Sequence, residues 1–250
     1  MKKSSEFIIK LLVIIISCLI IVILIVKRFI YFVTSNNYED TDCLYRVIKY
    51  RNLYGRYLEG QNNKVVLLCN GNRGNLSKRM NKAMTLKNMG YSVLLFDYSG
   101  FGKSKGVPSE EQMKVDATCM LSILLQTFNK ENIIIYGEST GASVAAFISK
   151  RYSIPKLILE STIINMAEYI KIKYRFLSFL SVFFVNDFNI YNDIKDYTGK
   201  ILSLHCRTDE VSPYILTGNL QRNSDMHICM DGSHYNPEIP WSNIKSFIEN

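Results

Sequence analysis

Short apolar runs rich in Val, Ile and Leu recur along this chain, and longer stretches with helical spacing separate most of the later ones. Runs of this kind, bounded by Gly, Pro, Asn and Asp, read as strands. They predict strands over 45–50, 54–59, 64–69, 91–96, 132–136, 156–160, 200–205 and 225–230, and helices over 76–89, 110–127, 140–151, 213–222 and 240–249. Strands alternating with helices are the mark of the α/β class, here a mostly parallel eight-stranded sheet flanked by helices. Residues 163–198 break the alternation. They carry Phe176-Leu177-Ser178-Phe179-Leu180-Ser181-Val182-Phe183-Phe184-Val185 and form a cap insertion between the sixth and seventh strands. Two roles stand open for it: an acyl-chain pocket, or packing on the core.

The N-terminus follows a different pattern. From Phe7 to Val26 the only charge is Lys10, near one end, where it can snorkel. Such a stretch matches the roughly 20 residues that cross one bilayer core as a helix. A cleaved signal peptide is the rival, but no small-x-small site follows, and Tyr31, Phe32 and Val33 continue the apolar character. The chain thus divides into a tail over 1–6, a transmembrane anchor over 7–33, a polar linker over 34–44 and a folded domain over 45–250. Lys2, Lys3 and Lys10 oppose Lys27 and Arg28, so charge does not orient the anchor.

Net charge is +8 and spread out, without the basic stripe that nucleic-acid binding needs. Lys171, Lys173 and Arg175 make one local cluster. It reads as a solvated face, with contact to anionic lipid as the alternative. Cys18, Cys43, Cys69, Cys119, Cys206 and Cys229 have no metal-site or redox-pair spacing. No metal or cofactor is expected. A glycosylation sequon, Asn75-Leu76-Ser77, falls in a loop assigned to the active site, which argues against its use. Gly100-Phe101-Gly102-Lys103-Ser104 ends like a phosphate-binding loop, but Asp97 stands where the first glycine is required.

The chemistry-bearing segment is Ile133-Ile134-Ile135-Tyr136-Gly137-Glu138-Ser139-Thr140-Gly141, followed by the small-residue helix Ala142-Ser143-Val144-Ala145-Ala146. Strand, sharp turn and helix with serine at the apex make a nucleophile elbow, in which the flanking glycines leave room for the tight turn. Ser139 is the candidate nucleophile, and a base must take its proton. Of the three histidines, His205 and His227 sit in strand patterns and read as structural. His234, in the loop after the last strand, is the candidate base. Asp209, in the loop after the seventh strand, is the candidate acid, with Glu210 and Glu160 as rivals. The order Ser139…Asp209…His234 is that of α/β hydrolases. Backbone N–H groups of Thr140 and of Asn72, in the glycine-bearing loop 70–75, are the candidate oxyanion donors.

Five segments in order carry a family resemblance: Asn70–Asn75, Asp97–Gly106, Gly137–Gly141, Asp209 with Pro213, and Asp231–Asn236. Together they resemble the membrane-anchored α/β hydrolases of the bud-emergence type and the related α/β-hydrolase-domain proteins, over roughly 45–249. The resemblance implies a serine hydrolase of carboxylic esters or thioesters, lipid-like small molecules or lipidated proteins among them. It also implies a single-pass protein with a cytosolic N-terminus and a lumenal or extracellular domain. Asn70 stands where the family has histidine, and Glu138 and Thr140 flank the serine where a basic residue and leucine are commoner. Two alternatives remain: a serine peptidase of the proline-iminopeptidase type, and a catalytically silent binding protein in contact with the bilayer.

Overall fold

Runs of Val, Ile and Leu fill the interior of the folded unit and form most of its strands. The computed structural model describes residues 2–31, 33–39 and 43–250. The chain divides into two compact units, Met1–Val33 and Thr34–Asn250. In the second, the strands are β1 (Arg46–Tyr50), β2 (Leu53–Leu58), β3 (Val65–Cys69), β4 (Ser92–Asp97), β5 (Ile133–Glu138), β6 (Lys156–Glu160), β7 (Lys200–Cys206) and β8 (Met226–Met230). They form one eight-stranded sheet in the order β8-β7-β6-β5-β3-β4-β2-β1. Pairings from β4 through β8 are parallel, and β2 pairs antiparallel with both β1 and β4. Every residue of β3 and β4 is buried, as expected for strands covered by helices on both faces.

The first unit is described by itself. Helix α1 (Lys2–Tyr31) is about 45 Å long at 1.5 Å per residue. Its stretch Glu6–Ile25 is long and apolar enough to cross a membrane, and none of it is buried. Met1, Phe32 of the expected anchor, and Asp40, Thr41 and Asp42 of the expected linker lie outside the described residues.

The helices that pack on the sheet are α2 (Met80–Asn88), α3 (Glu110–Leu124), α4 (Gly141–Tyr152) and α8 (Trp241–Glu249). The predicted helix over 76–89 opens as a 3-10 turn, Leu76–Arg79, before α2 begins. The cause is local: Asn75 Oδ1 accepts the Ser77 N–H at 2.9 Å, and Asp97 Oδ1 accepts the Leu76 N–H at 2.8 Å. Similarly, 213–222 resolves into a 3-10 turn, Tyr214–Thr217, and the short α7 (Gly218–Asn223). Within the cap lie α5 (Met166–Lys173), a 3-10 helix Arg175–Phe184, and α6 (Tyr191–Lys195).

Two buried carboxylates brace the turn after β4. Asp97 accepts from the Leu76 N–H, the Lys103 N–H (3.1 Å) and the Tyr38 hydroxyl. Asp116 accepts from the Ser99 N–H (2.6 Å) and the Ser99 hydroxyl (3.0 Å). The glycine-rich segment that ends like a phosphate loop is therefore a turn wrapped on Asp97. Asn75 is consumed as well. Its amide donates to the Ser35 and Asn37 carbonyls (2.9 and 2.8 Å), which leaves the sequon asparagine buried and occupied. Asp97→Ala strips three donors of their acceptor. It is expected to lower unfolding free energy by about 2–4 kcal/mol, read by denaturant unfolding of the full chain in detergent.

Candidate active site

Ser139 follows β5 directly, at φ +53, a left-handed conformation that a non-glycine residue adopts only under strain. The neighbours show why the flanking positions are glycine. A Cβ at Gly141 would lie 2.2 Å from the Cys69 carbonyl oxygen and 2.3 Å from that of Asn70. A Cβ at Gly137 would lie 2.6 Å from Ala142 Cα and from Ala145 Cβ. The small residues of α4 serve the same close approach: Ala142, Ser143, Ala145 and Ala146 are all buried. The Ser139 N–H donates to the Glu160 carbonyl at 2.9 Å, pinning the apex to β6.

Because β3 and β5 through β8 run parallel, their C-terminal ends share one edge of the sheet. Asp209 lies three residues past β7 and His234 four residues past β8. The structure joins them: His234 Nδ1 lies 2.8 Å from Asp209 Oδ2 and 3.0 Å from Oδ1. A carboxylate accepts only, so the imidazole proton sits on Nδ1 and Nε2 is left as the basic nitrogen. Asp209 Oδ1 also accepts the Val211 and Ser212 N–H groups, at 2.9 and 2.6 Å. Burial alone would raise the Asp209 carboxyl, but the hydrogen bond to His234, the His234 charge and these N–H groups hold it below the usual range. Among the described residues the Ser139 hydroxyl takes part in no hydrogen bond, so the acid–base pair is closed and the serine–histidine contact is not.

The rival residues have other work. Glu210 accepts the His234 backbone N–H at 3.1 Å and does not meet the ring. Glu160 is bound to Lys82 at 2.6 Å and to the Tyr136 hydroxyl. His205 is fully buried with Nε2 2.8 Å from the Ser212 carbonyl, and burial pushes its pKa down. It stays neutral behind Asp209. His227 contacts Ser203 Oγ (3.0 Å) and the Tyr214 hydroxyl (3.2 Å).

Of the candidate oxyanion donors, Thr140 directly follows the serine. Among the described residues the Thr140 N–H has no protein partner. Across from it, a Cβ on Gly71 would lie 3.2 Å from Ser139 Cβ, which places the start of the 70–75 loop against the apex. Asn70 donates through Nδ2 to the Phe96 carbonyl at 2.8 Å and ties this loop to β4. Behind the loop lies a small cleft lined by Asn70, Gly71, Arg79 and Asp97, with Phe96, Tyr98 and Phe101 beside them.

An ion cluster beneath the elbow was not foreseen. Arg79 reaches Glu138 Oε1 through Nη2 (2.6 Å) and Nε (3.1 Å), and donates through Nη1 to the Arg73 carbonyl at 2.5 Å. Lys82 bridges Glu138 (2.9 Å) and Glu160 (2.6 Å). One guanidinium thus couples the 70–75 loop to the residue before Ser139. Burial alone would raise the Glu138 carboxyl; Arg79 and Lys82 overcome this and hold it well below the ordinary carboxylate range. The only sequence signal was a charge in a position the pattern buries.

A serine raised on a left-handed strand-to-helix apex, at the edge of a parallel sheet in this strand order, defines an α/β hydrolase. The family model described as serine aminopeptidase, S33, matches residues 60–223, and the chain belongs to that family. The match includes Ser139 and Asp209 and ends before His234. Among curated relatives, uncharacterized protein R595 of Acanthamoeba polyphaga mimivirus is 32% identical over 71% of this chain and 69% of its own length. The lysophosphatidylserine lipase ABHD12 of Danio rerio is 32% identical over 61% of this chain, which spans only 45% of that protein. The chain likewise spans 45% of an uncharacterized Mycobacterium tuberculosis relative, about half the length of such matches. Of solved structures, the Pyrococcus furiosus esterase Pf2001 superposes with a TM-score of 0.70 at 17% identity, over 87% of this chain and 98% of that one. That likeness speaks to the fold.

The depressed Glu138 carboxyl gives a signed expectation. A group whose folded pKa lies below its unfolded value, about 4.3 for Glu, stabilises above that value and loses the contribution as pH falls through the folded one. Between about pH 5 and pH 2 the native chain should therefore lose more stability than Glu138→Gln, measured as thermal midpoints in the same detergent. Asp97 and Asp116, whose burial raises them, act in the opposite sense but are common to both proteins.

Proposed function

We propose that this chain is a membrane-anchored serine hydrolase of carboxylic esters or thioesters with lipid-like acyl groups. The observation that carries the reading is the closed His234–Asp209 pair on the same sheet edge as the strained serine apex. Ser139 Oγ attacks the carbonyl carbon, and His234 Nε2 takes the hydroxyl proton. Asp209 keeps the His234 proton on Nδ1 and stabilises the imidazolium. The Thr140 and Asn72 N–H groups receive the oxyanion. His234 returns the proton to the leaving oxygen or sulfur. Water, deprotonated by the same imidazole, then frees the acid and restores Ser139.

Substrate class follows from two supports: the apolar cap and the lipase among the relatives. Helix α1 serves as the anchor in this reading, with the domain lumenal or extracellular as the bud-emergence resemblance implies. The family description favours a second reading, an aminopeptidase of the proline-iminopeptidase type. Ester and thioester panels run beside aminoacyl amides separate the two, and preference for the amides would overturn the first.

A fluorophosphonate probe should label the native chain and leave Ser139→Ala unlabelled; a native chain that also fails to label rejects serine catalysis. Asp209→Asn should lower kcat by about 10³–10⁴ through the wrong imidazole tautomer. Arg79→Met should lower kcat about tenfold with KM little changed, because it loosens oxyanion donors that act only in the transition state. Steady-state kinetics on the esters that pass the panel check both.

A further inference from the structure

The cap carries a surface that the proposed chemistry leaves unused. Arg175–Phe184 is a ten-residue 3-10 helix, in which residues three apart stack in one row. Phe176, Phe179 and Val182 occupy one such row, and Val185 continues it just beyond the helix. They are 79, 68, 65 and 48% exposed. Phe183, beside the row, is exposed too, whereas Leu180 and Phe184 are buried against the domain. The segment thus has apolar residues on both sides, with one side facing outward. Scattered exposed hydrophobics are ordinary, but a contiguous aromatic ridge marks an interaction site.

Charge selects the occupant. Lys171, Lys173 and Arg175, all exposed, lead into the ridge, and from 169 to 186 there is no Asp or Glu. Lys173 donates to the Glu210 carbonyl, which offsets none of its charge. Among the described residues neither Lys171 nor Arg175 has an ion-pair partner. An aromatic ridge flanked by uncompensated cations complements an apolar layer beneath anionic head groups. The apolar side chains leave water, and each cation near the surface of such a layer adds about 1 kcal/mol. A protein groove would be served by the ridge and has no need of the cations.

We propose that the cap docks on an anionic lipid bilayer, with Phe176, Phe179, Val182 and Val185 in the interfacial layer and Lys171, Lys173 and Arg175 among the head groups. The proposal rests neither on the reactivity of Ser139 nor on α1 crossing the membrane, because its readout is the depth of residue 179.

The test uses the full chain reconstituted in lipid vesicles. The native protein has one tryptophan, Trp241, partly buried against the core, which serves as the internal control. Phe179→Trp adds a reporter on the ridge. In vesicles with about 30% phosphatidylserine and acyl chains brominated near the head group, the added emission should fall at least about twofold while that of Trp241 holds. Quenching should weaken in pure phosphatidylcholine and when Lys171, Lys173 and Arg175 are all changed to Glu. It should persist in Ser139→Ala, so this proposal and the hydrolase reading fail separately. Equal emission in brominated and plain lipid overturns it, as does quenching indifferent to lipid charge. A signal that follows protein density in the membrane and not lipid identity assigns the ridge to a second copy of the chain and also overturns it.

Discussion

The structure turns on how closely α4 can begin against the end of β3. At Gly141 the backbone lies against the Cys69 and Asn70 carbonyls, with no room for a Cβ. This contact fixes the elbow sideways, while the Ser139 N–H bond to the Glu160 carbonyl fixes it along β6. The chain then has one way to leave β5 and enter α4, and it runs through the left-handed region at Ser139. Strain of about 1–3 kcal/mol at such a residue persists only when the surroundings over-determine it. Here they do, on two sides. The same contact brings the 70–75 loop to the serine, so the apex and the facing backbone donors are set by one packing event.

How much of this was legible in the sequence depends on the range over which each cause acts. The elbow was legible because glycine on either side of a strained serine is a local demand. Asp209 and His234 were legible because a parallel sheet delivers every following loop to one edge, whatever the side chains. The Arg79–Glu138 and Lys82–Glu160 pairs were not: they join positions 59 and 78 residues apart, and no spacing rule links them. Glu138 and Glu160 did stand in places the apolar pattern buries, which implies partners without naming them. Three-residue periodicity in the cap was visible in the letters as well. It became meaningful only when the segment proved to be a 3-10 helix, because on an α-helix residues 176, 179, 182 and 185 drift around the surface.

The ion cluster also accounts for how an acid can stand at position 138. A carboxylate one residue before the nucleophile is a poor neighbour for a developing oxyanion. Two negative charges held close together at a partly buried site repel, and the repulsion grows as water is excluded. In the proposed chemistry that penalty would fall on the transition state, where it costs rate. Arg79 and Lys82 remove it. Both hold Glu138, Lys82 is shared with Glu160, and two cations face two carboxylates. The cluster is close to neutral at the elbow, and its bonds are directional where a single basic residue at this position would be free to move.

Neutrality alone does not explain why the arginine also holds the Arg73 carbonyl. An oxyanion hole works by preorganisation: its donors must already stand where charge will develop, because moving them during the reaction costs the energy they supply. The two proposed donors belong to segments far apart in sequence, the 70–75 loop and the start of α4. Loop backbone is mobile by default. Asn70, bonded to Phe96, and Arg79, bonded to Arg73 and Glu138, turn that loop into part of the sheet edge. Asn70 and Glu138 then belong to one arrangement, in which an amide and a guanidinium hold the loop against Ser139.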